Sequence, residues 1–183
     1  YLHGGGYYFC SPQSHRSLVF ELARRASART FSLDYRLARE HRFPAALDDA
    51  VAAWRQLLTD GTPAGSIVIA GDSAGGGLAL GLLAWATSTA RMGRSLPVAA
   101  VVLSPVTDLT LSGESWNSRA DADPYFTRAQ VEALVGPYLD EQAGTDPLAS
   151  PLYGVLEGLP PVRVHVGSDE VLFTISDPHE GLA

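Results

Sequence analysis

An α/β fold, in which a mostly parallel sheet carries helices on both faces, is predicted by three features of this sequence. Apolar, β-branched runs alternate along the chain with segments whose apolar residues recur at helical spacing. Two of those runs, Ser66 to Ala70 and Val98 to Leu103, are almost continuously apolar, as strands covered on both faces are. The first of them passes through a glycine-flanked serine straight into a helical segment, a junction that presents a side chain at the carboxyl edge of a parallel sheet.

Each element has its own justification. Residues Ser14 to Ala28 read as a helix with Leu18, Leu22 and Ala26 at helical spacing, and Thr30 to Asp34 reads as a strand. A second helix runs from Pro44 to Leu58: Pro44 suits a first turn, where its missing N–H is no loss, and Leu47, Val51, Trp54 and Leu58 form one core-facing stripe. Asp60-Gly61-Thr62-Pro63 breaks the chain before the Ile67 strand, and Ala74 to Met92, apolar on most faces, suits a central helix. Between Thr107 and Pro151 the pattern loosens into an excursion within the same domain, holding a helix from Thr127 to Leu139 capped by its threonine. Val162, Val164 and Val166 mark a strand over Pro161 to Val166. Strands joined through helices pair in parallel by right-handed crossovers, which puts the site at their carboxyl ends.

Composition excludes several function classes. With 183 residues, 46% of them hydrophobic, the chain can build one domain with a substantial core. A net charge of -7 without any basic cluster argues against nucleic acid or an anionic membrane surface as a partner. No apolar run is long enough to span a bilayer and no signal peptide is visible. Cys10, the single cysteine, cannot form an internal disulfide; it reads as a small buried packing residue and fits a reducing, cytoplasmic compartment.

Two motifs carry chemistry. In Gly71-Asp72-Ser73-Ala74-Gly75 the serine stands between strand and helix, where the two elements nearly touch and only very small residues fit two positions either side. This is a nucleophile elbow with Ser73 as the nucleophile. His3-Gly4-Gly5-Gly6 lets the backbone come close to a ligand and turn its amides to one point, as an oxyanion hole requires. The expected donors are the amides of Gly5, Gly6 and Ala74. The competing reading, a flexible or phosphate-cradling glycine loop, lacks a following Gly-Lys-Ser/Thr. His3 is expected to support that loop, with Gly4, rather than to take a proton from Ser73, because in this arrangement the base comes last in chain order.

With these motifs in view, the chain resembles the hormone-sensitive-lipase-like branch of the α/β-hydrolases, the bacterial esterases of the Gly-Asp-Ser-Ala-Gly type. The resemblance spans most of the chain. Tyr1 to Tyr7 is similar to the oxyanion segment of that family, and Asp34-Tyr35-Arg36-Leu37-Ala38 with Phe43-Pro44-Ala45-Ala46 to its next block, although Arg39 stands where a proline is usual. Ser104 to Leu109 and Asp146 to Leu152 are similar to two further segments.

The resemblance implies an acid, one variable residue and a leucine after the Pro161 to Val166 strand. Matching on Leu172 makes Glu170 the triad acid, with Asp169 as its rival if the match slips by one. The base is expected further downstream. Only 13 residues follow Glu170 and the histidine among them, His179, leaves no room for the helix and strand that normally intervene, so the catalytic histidine is not identified. His165 reads as structural, and His15 and His41 precede the serine. Residues 1–183 are therefore expected to be a single partial domain that lacks an N-terminal cap and a His-bearing C-terminal segment.

The function these readings imply is a serine carboxylic-ester hydrolase acting through an acyl-enzyme on a small ester of short to medium chain, with no metal or cofactor. As given, the chain is expected to be poorly active or inactive for want of a triad member. A non-catalytic ligand-binding protein of the same fold, or an amidase or lactonase, stays open. Trp116, Tyr125 and Phe126 either wall an acyl pocket or serve packing. Oligomeric state is not legible in the sequence.

Overall fold

The chain is described here by a computed structural model covering residues 1–90 and 96–173. Three parallel strands, β1 (Val68–Asp72), β2 (Ala99–Leu103) and β3 (Val162–His165), lie in the order β1-β2-β3. Ile69 stands opposite Ala100, and Ala100 opposite Val162. On the outer edge of β1, Leu2 bridges to Gly71 in parallel and donates its N–H to the Ala70 carbonyl at 2.8 Å. That pairing brings the glycine loop at the start of the chain to the carboxyl end of β1.

The crossover from β1 to β2 runs through α3 (Ser73–Ala90), which follows β1 without an intervening loop residue. Leu78, Ala79, Leu82 and Leu83 are buried, and α3 packs on β1, β2 and α2 (Ala45–Thr59). The α2 stripe behaves as its spacing predicts. Leu47, Val51 and Trp54 are buried and Leu58 is half-buried, and each large side chain so covered stabilises the fold by about 1.5–3 kcal/mol. Pro44 caps α2 just outside its first residue.

The excursion is held by polar contacts. Asp108 is fully buried and accepts from the N–H and hydroxyl of both Thr110 and Ser112 at 2.6–2.9 Å. Burial alone would raise its carboxyl, but those hydrogen bonds outweigh it and hold the pKa below the ordinary value. Ser150, also fully buried, accepts from the Leu109 N–H at 2.8 Å and donates to the Gly144 carbonyl, so the segments around 104–109 and 146–152 lock together. After a one-turn helix, α4 (Ser115–Ser118), comes α5 (Arg128–Leu139). Thr127 caps α5 as expected, in a reciprocal box with Gln130.

Four expectations are corrected. Thr30 to Asp34 forms no strand, because among the described residues its main-chain partner is Tyr1 alone: the Tyr1 nitrogen donates to the Phe31 carbonyl and the Leu33 N–H donates to the Tyr1 carbonyl. The first helix, α1 (Arg16–Ala26), is shorter than predicted and buries none of its residues. Val98 to Leu103 is not covered on both faces. Ala100 and Val102 are buried beneath α3, while Val101 and Leu103 line a cavity of about 710 Å³ that also touches Leu22 and Ala26 of α1. Cys10 is exposed rather than buried, and it stands at a φ of 69° in the turn beyond the glycine loop.

Candidate active site

The elbow is built by close approach of two backbones. Gly71 is buried in β1, and a Cβ placed there would lie 2.4 Å from the Gly75 carbonyl oxygen. A Cβ on Gly75 would lie 2.2 Å from the carbonyl oxygen of Leu2. Strand, helix and glycine loop therefore meet at a place where no side chain fits. Ser73, between them, has a φ of 51°, in the left-handed region where a non-glycine residue is strained. The side chain is half-exposed, and among the described residues nothing hydrogen-bonds to its hydroxyl. Its carbonyl is held by the Val106 N–H at 3.0 Å.

The glycine loop turns sharply, with Gly5 at a φ of 120° and Gly6 at 61°. The Gly5 carbonyl accepts from the amides of Tyr8 and Phe9, while neither the Gly5 nor the Gly6 amide donates to any described residue. Ala74, second in α3, carries one of the helix-start amides that lack an intrahelical acceptor. The Gly5, Gly6 and Ala74 amides are thus three donors without a main-chain partner among the described residues. The Gly4 amide is not among them, because it donates to Oδ1 of Asp72 at 2.9 Å. The Tyr1 hydroxyl donates to the same oxygen at 2.8 Å. Beyond the loop, Tyr7 is buried and stacks on Tyr138 of α5 with ring centroids 4.0 Å apart.

His3 is fully buried. Its ring stacks on Tyr35 at 4.4 Å, and the Tyr35 hydroxyl donates to the His3 carbonyl at 2.6 Å. Nδ1 lies 2.7 Å from the Gly4 carbonyl, which can only accept, so Nδ1 carries the ring proton. Burial pushes the imidazole below its ordinary value of 6.5, against the raising effect of the Gly4 bond. A neutral ring clamped to Gly4 suits loop support and has no described contact with Ser73.

The candidate acids stand after β3. Oε1 of Glu170 accepts from the Gly167 N–H at 3.0 Å, and Asp169 is exposed with Ser168 Oγ at 3.5 Å. Both main-chain groups of the next residue, Val171, are held: its N–H by Asp123 at 2.9 Å and its carbonyl by Ser115. No described histidine hydrogen-bonds to Ser73, Asp169 or Glu170, and His179 lies outside the described residues. His165 is exposed on β3. Trp116 is buried in the core, whereas Tyr125 is 80% exposed. Among the described residues no group of His, Cys, Asp and Glu side chains could hold a metal ion.

Comparison with known proteins decides the family. The α/β hydrolase fold family matches residues 1–176. The chain belongs to the α/β-hydrolases. It is 47% identical over 175 residues to an acetyl-hydrolase of Streptomyces hygroscopicus, covering 94% of this chain and 56% of that protein. Among solved structures, the esterase EstE5 superposes with a TM-score of 0.93 at 44% identity, over 99% of this chain and 60% of that one. An esterase from the bacterial hormone-sensitive lipase family superposes with a TM-score of 0.89, also at 44% identity, over 94% of this chain and 57% of that one. The chain is thus similar to an esterase of the bacterial hormone-sensitive lipase family, and it spans little more than half the length of these relatives. No helix among its described residues is long and apolar enough to cross a membrane.

The sequence marks Ser73 and the glycine loop as candidates but does not mark Asp72, which ties the backbone before Ser73 to Gly4. Its partner Gly4 lies 68 residues away, beyond the reach of local spacing.

Proposed function

We propose that this hydrolase cleaves small carboxylic esters through an acyl-enzyme on Ser73. One observation carries the proposal: a strained, half-exposed serine opens α3, the same turn of that helix packs at Gly75 against the carbonyls of Leu2 and His3 that lead into the glycine loop, and the loop's Gly5 and Gly6 amides are unused by any described residue. In the proposed reaction the Ser73 hydroxyl oxygen attacks the ester carbonyl, and the amides of Gly5, Gly6 and Ala74 stabilise the negative charge that develops on its oxygen. Collapse of that intermediate expels the alcohol and leaves an acyl group on Ser73, which water then releases as the acid.

Glu170 is the proposed acid that orients the base, and His3 and Gly4 support the loop. The base lies outside the described residues. A short acyl group fits the acetyl-hydrolase name of the Streptomyces relative. The lone cysteine and the acidic charge suit the cytoplasm. The proposed chemistry calls for neither cofactor nor nucleic-acid partner.

The test is hydrolysis of short-chain aryl esters by the protein expressed from its complete reading frame, beside Ser73→Ala. The expected result is turnover that the substitution abolishes. Binding of the ester without turnover would point instead to a ligand-binding protein, and turnover insensitive to the substitution would exclude Ser73.

A further inference from the structure

The Asp72 carboxylate joins the two halves of the site. Asp72 immediately precedes Ser73, and Gly4, whose amide it accepts, immediately precedes Gly5. This hydrogen bond, with the Leu2 pairing on β1, ties the backbone before Ser73 to the glycine loop. The packing is equally close: a Cβ on Gly4 would fall 2.2 Å from Oδ2 of Asp72, so the carboxylate lies flat against the Gly4 main chain.

Oδ1 takes the Gly4 amide and the Tyr1 hydroxyl, and Oδ2 is left to a third group. That group is His15, whose Nε2 lies 3.2 Å from Oδ2. The pair is largely sheltered, with 15% of the His15 side chain and 24% of the Asp72 side chain exposed. The imidazole is itself oriented. Its Nδ1 lies 3.0 Å from the Ser14 hydroxyl, whose proton it can accept while Nε2–H donates to Asp72, and its ring packs 5.6 Å from the ring of His3.

His15 stands at the start of α1, a helix that buries no residue of its own. Its ring is therefore placed by contacts with the site rather than by the helix's packing.

We infer that His15 is a positioning residue for the oxyanion loop, acting through Asp72. Holding Oδ2 keeps the carboxylate from rotating toward solvent, and this keeps Oδ1 on the Gly4 amide. The Gly4–Gly5 peptide is thereby held in the orientation that leaves the Gly5 and Gly6 amides free. Without a donor on Oδ2, a sheltered carboxylate oxygen loses its partner, the rotation becomes favourable, and the loop drifts from Ser73. A misplacement of about 1 Å at such a site costs on the order of 100-fold in rate. The kinetic consequence rests on the ester-hydrolase reading; the hydrogen-bond consequence does not.

The experiment compares wild type with His15→Phe, which keeps a ring but has no donor, and His15→Gln, which keeps an N–H donor. Hydrogen exchange at the Gly4 amide, followed by NMR against the amides of α3, is read first. Expected are faster Gly4 exchange by about tenfold or more in His15→Phe, with α3 unchanged, and near-wild-type exchange in His15→Gln. Kinetics with a short-chain aryl ester should show kcat lowered about 10- to 100-fold in His15→Phe with KM little changed, and most of kcat regained in His15→Gln.

Equal Gly4 exchange in wild type and His15→Phe would overturn the inference. So would a Gln variant as impaired as the Phe variant, since the ring would then only fill space. If the Phe variant does not fold, His15→Asn, whose shorter amide does not reach Oδ2, replaces it under the same criteria. If no protein turns over ester, the proposed function fails while Gly4 exchange still decides the role of His15.

Discussion

Gly71 and Gly75 touch through their main chains: a Cβ on the first would lie 2.4 Å from the carbonyl oxygen of the second. The contact fixes the angle at which α3 leaves β1, and so the height at which Ser73 stands above the sheet. The clash of a side chain there would be with backbone, which cannot give way as a flexible side chain can. Gly71→Ala and Gly75→Ala should each destabilise the fold by about 2–3 kcal/mol or prevent folding, read as a lower urea midpoint. An alanine tolerated at both positions with an unchanged midpoint would contradict the geometry.

The φ of 51° at Ser73 makes a second prediction. Glycine adopts that conformation without the penalty a Cβ incurs, so Ser73→Gly should be more stable than Ser73→Ala by about 1 kcal/mol, both being inactive. Equal stability of the two would mean that the serine backbone is unstrained.

His3 supplies a pH dependence of stability. Its pKa is lowered in the folded protein, so between that value and the ordinary 6.5 the unfolded chain binds the proton that the folded one refuses. Its contribution is then complete above pH 6.5 and is lost as pH falls below it. The wild type should lose stability on acidification more steeply than His3→Asn, by up to about 1.4 kcal/mol per pH unit, and the two should run parallel above about pH 7.5. Urea titrations at several pH values measure this, and a difference that does not change with pH would refute it.

Glu170 and Asp169 are separated by their surroundings. Glu170 is partly covered, turns back onto Gly167, and precedes a residue whose N–H and carbonyl are both tied down, while Asp169 is exposed. Glu170→Gln should lower kcat of the active protein by roughly a thousandfold or more, with Asp169→Asn within about twofold of wild type. The reverse pattern in steady-state assays would assign the acid to Asp169.

What the sequence made legible was local. The elbow, the α2 stripe and the α5 cap each depend on residues within a few positions of one another, where spacing alone dictates geometry. The features it hid are made by distant partners. Asp72 meets Tyr1, Gly4 and His15 across 57 to 71 residues, and nothing in a single sequence marks such a set. Thr30 to Asp34 has the composition of a strand but, among the described residues, only Tyr1 to pair with, and Leu22 has helical spacing but faces a cavity. Cys10 has the character of a residue that is usually buried, whereas the turn after the glycine loop lifts it to the surface.

The most direct test of the central claim is to trap the acyl-enzyme. The protein is mixed with excess para-nitrophenyl acetate, quenched in acid and read by intact-mass and peptide-mapping mass spectrometry. The account predicts one added acetyl group on the peptide that contains Ser73, absent in Ser73→Ala. An acetyl group on a different residue, or ester turnover that persists in Ser73→Ala, would contradict it.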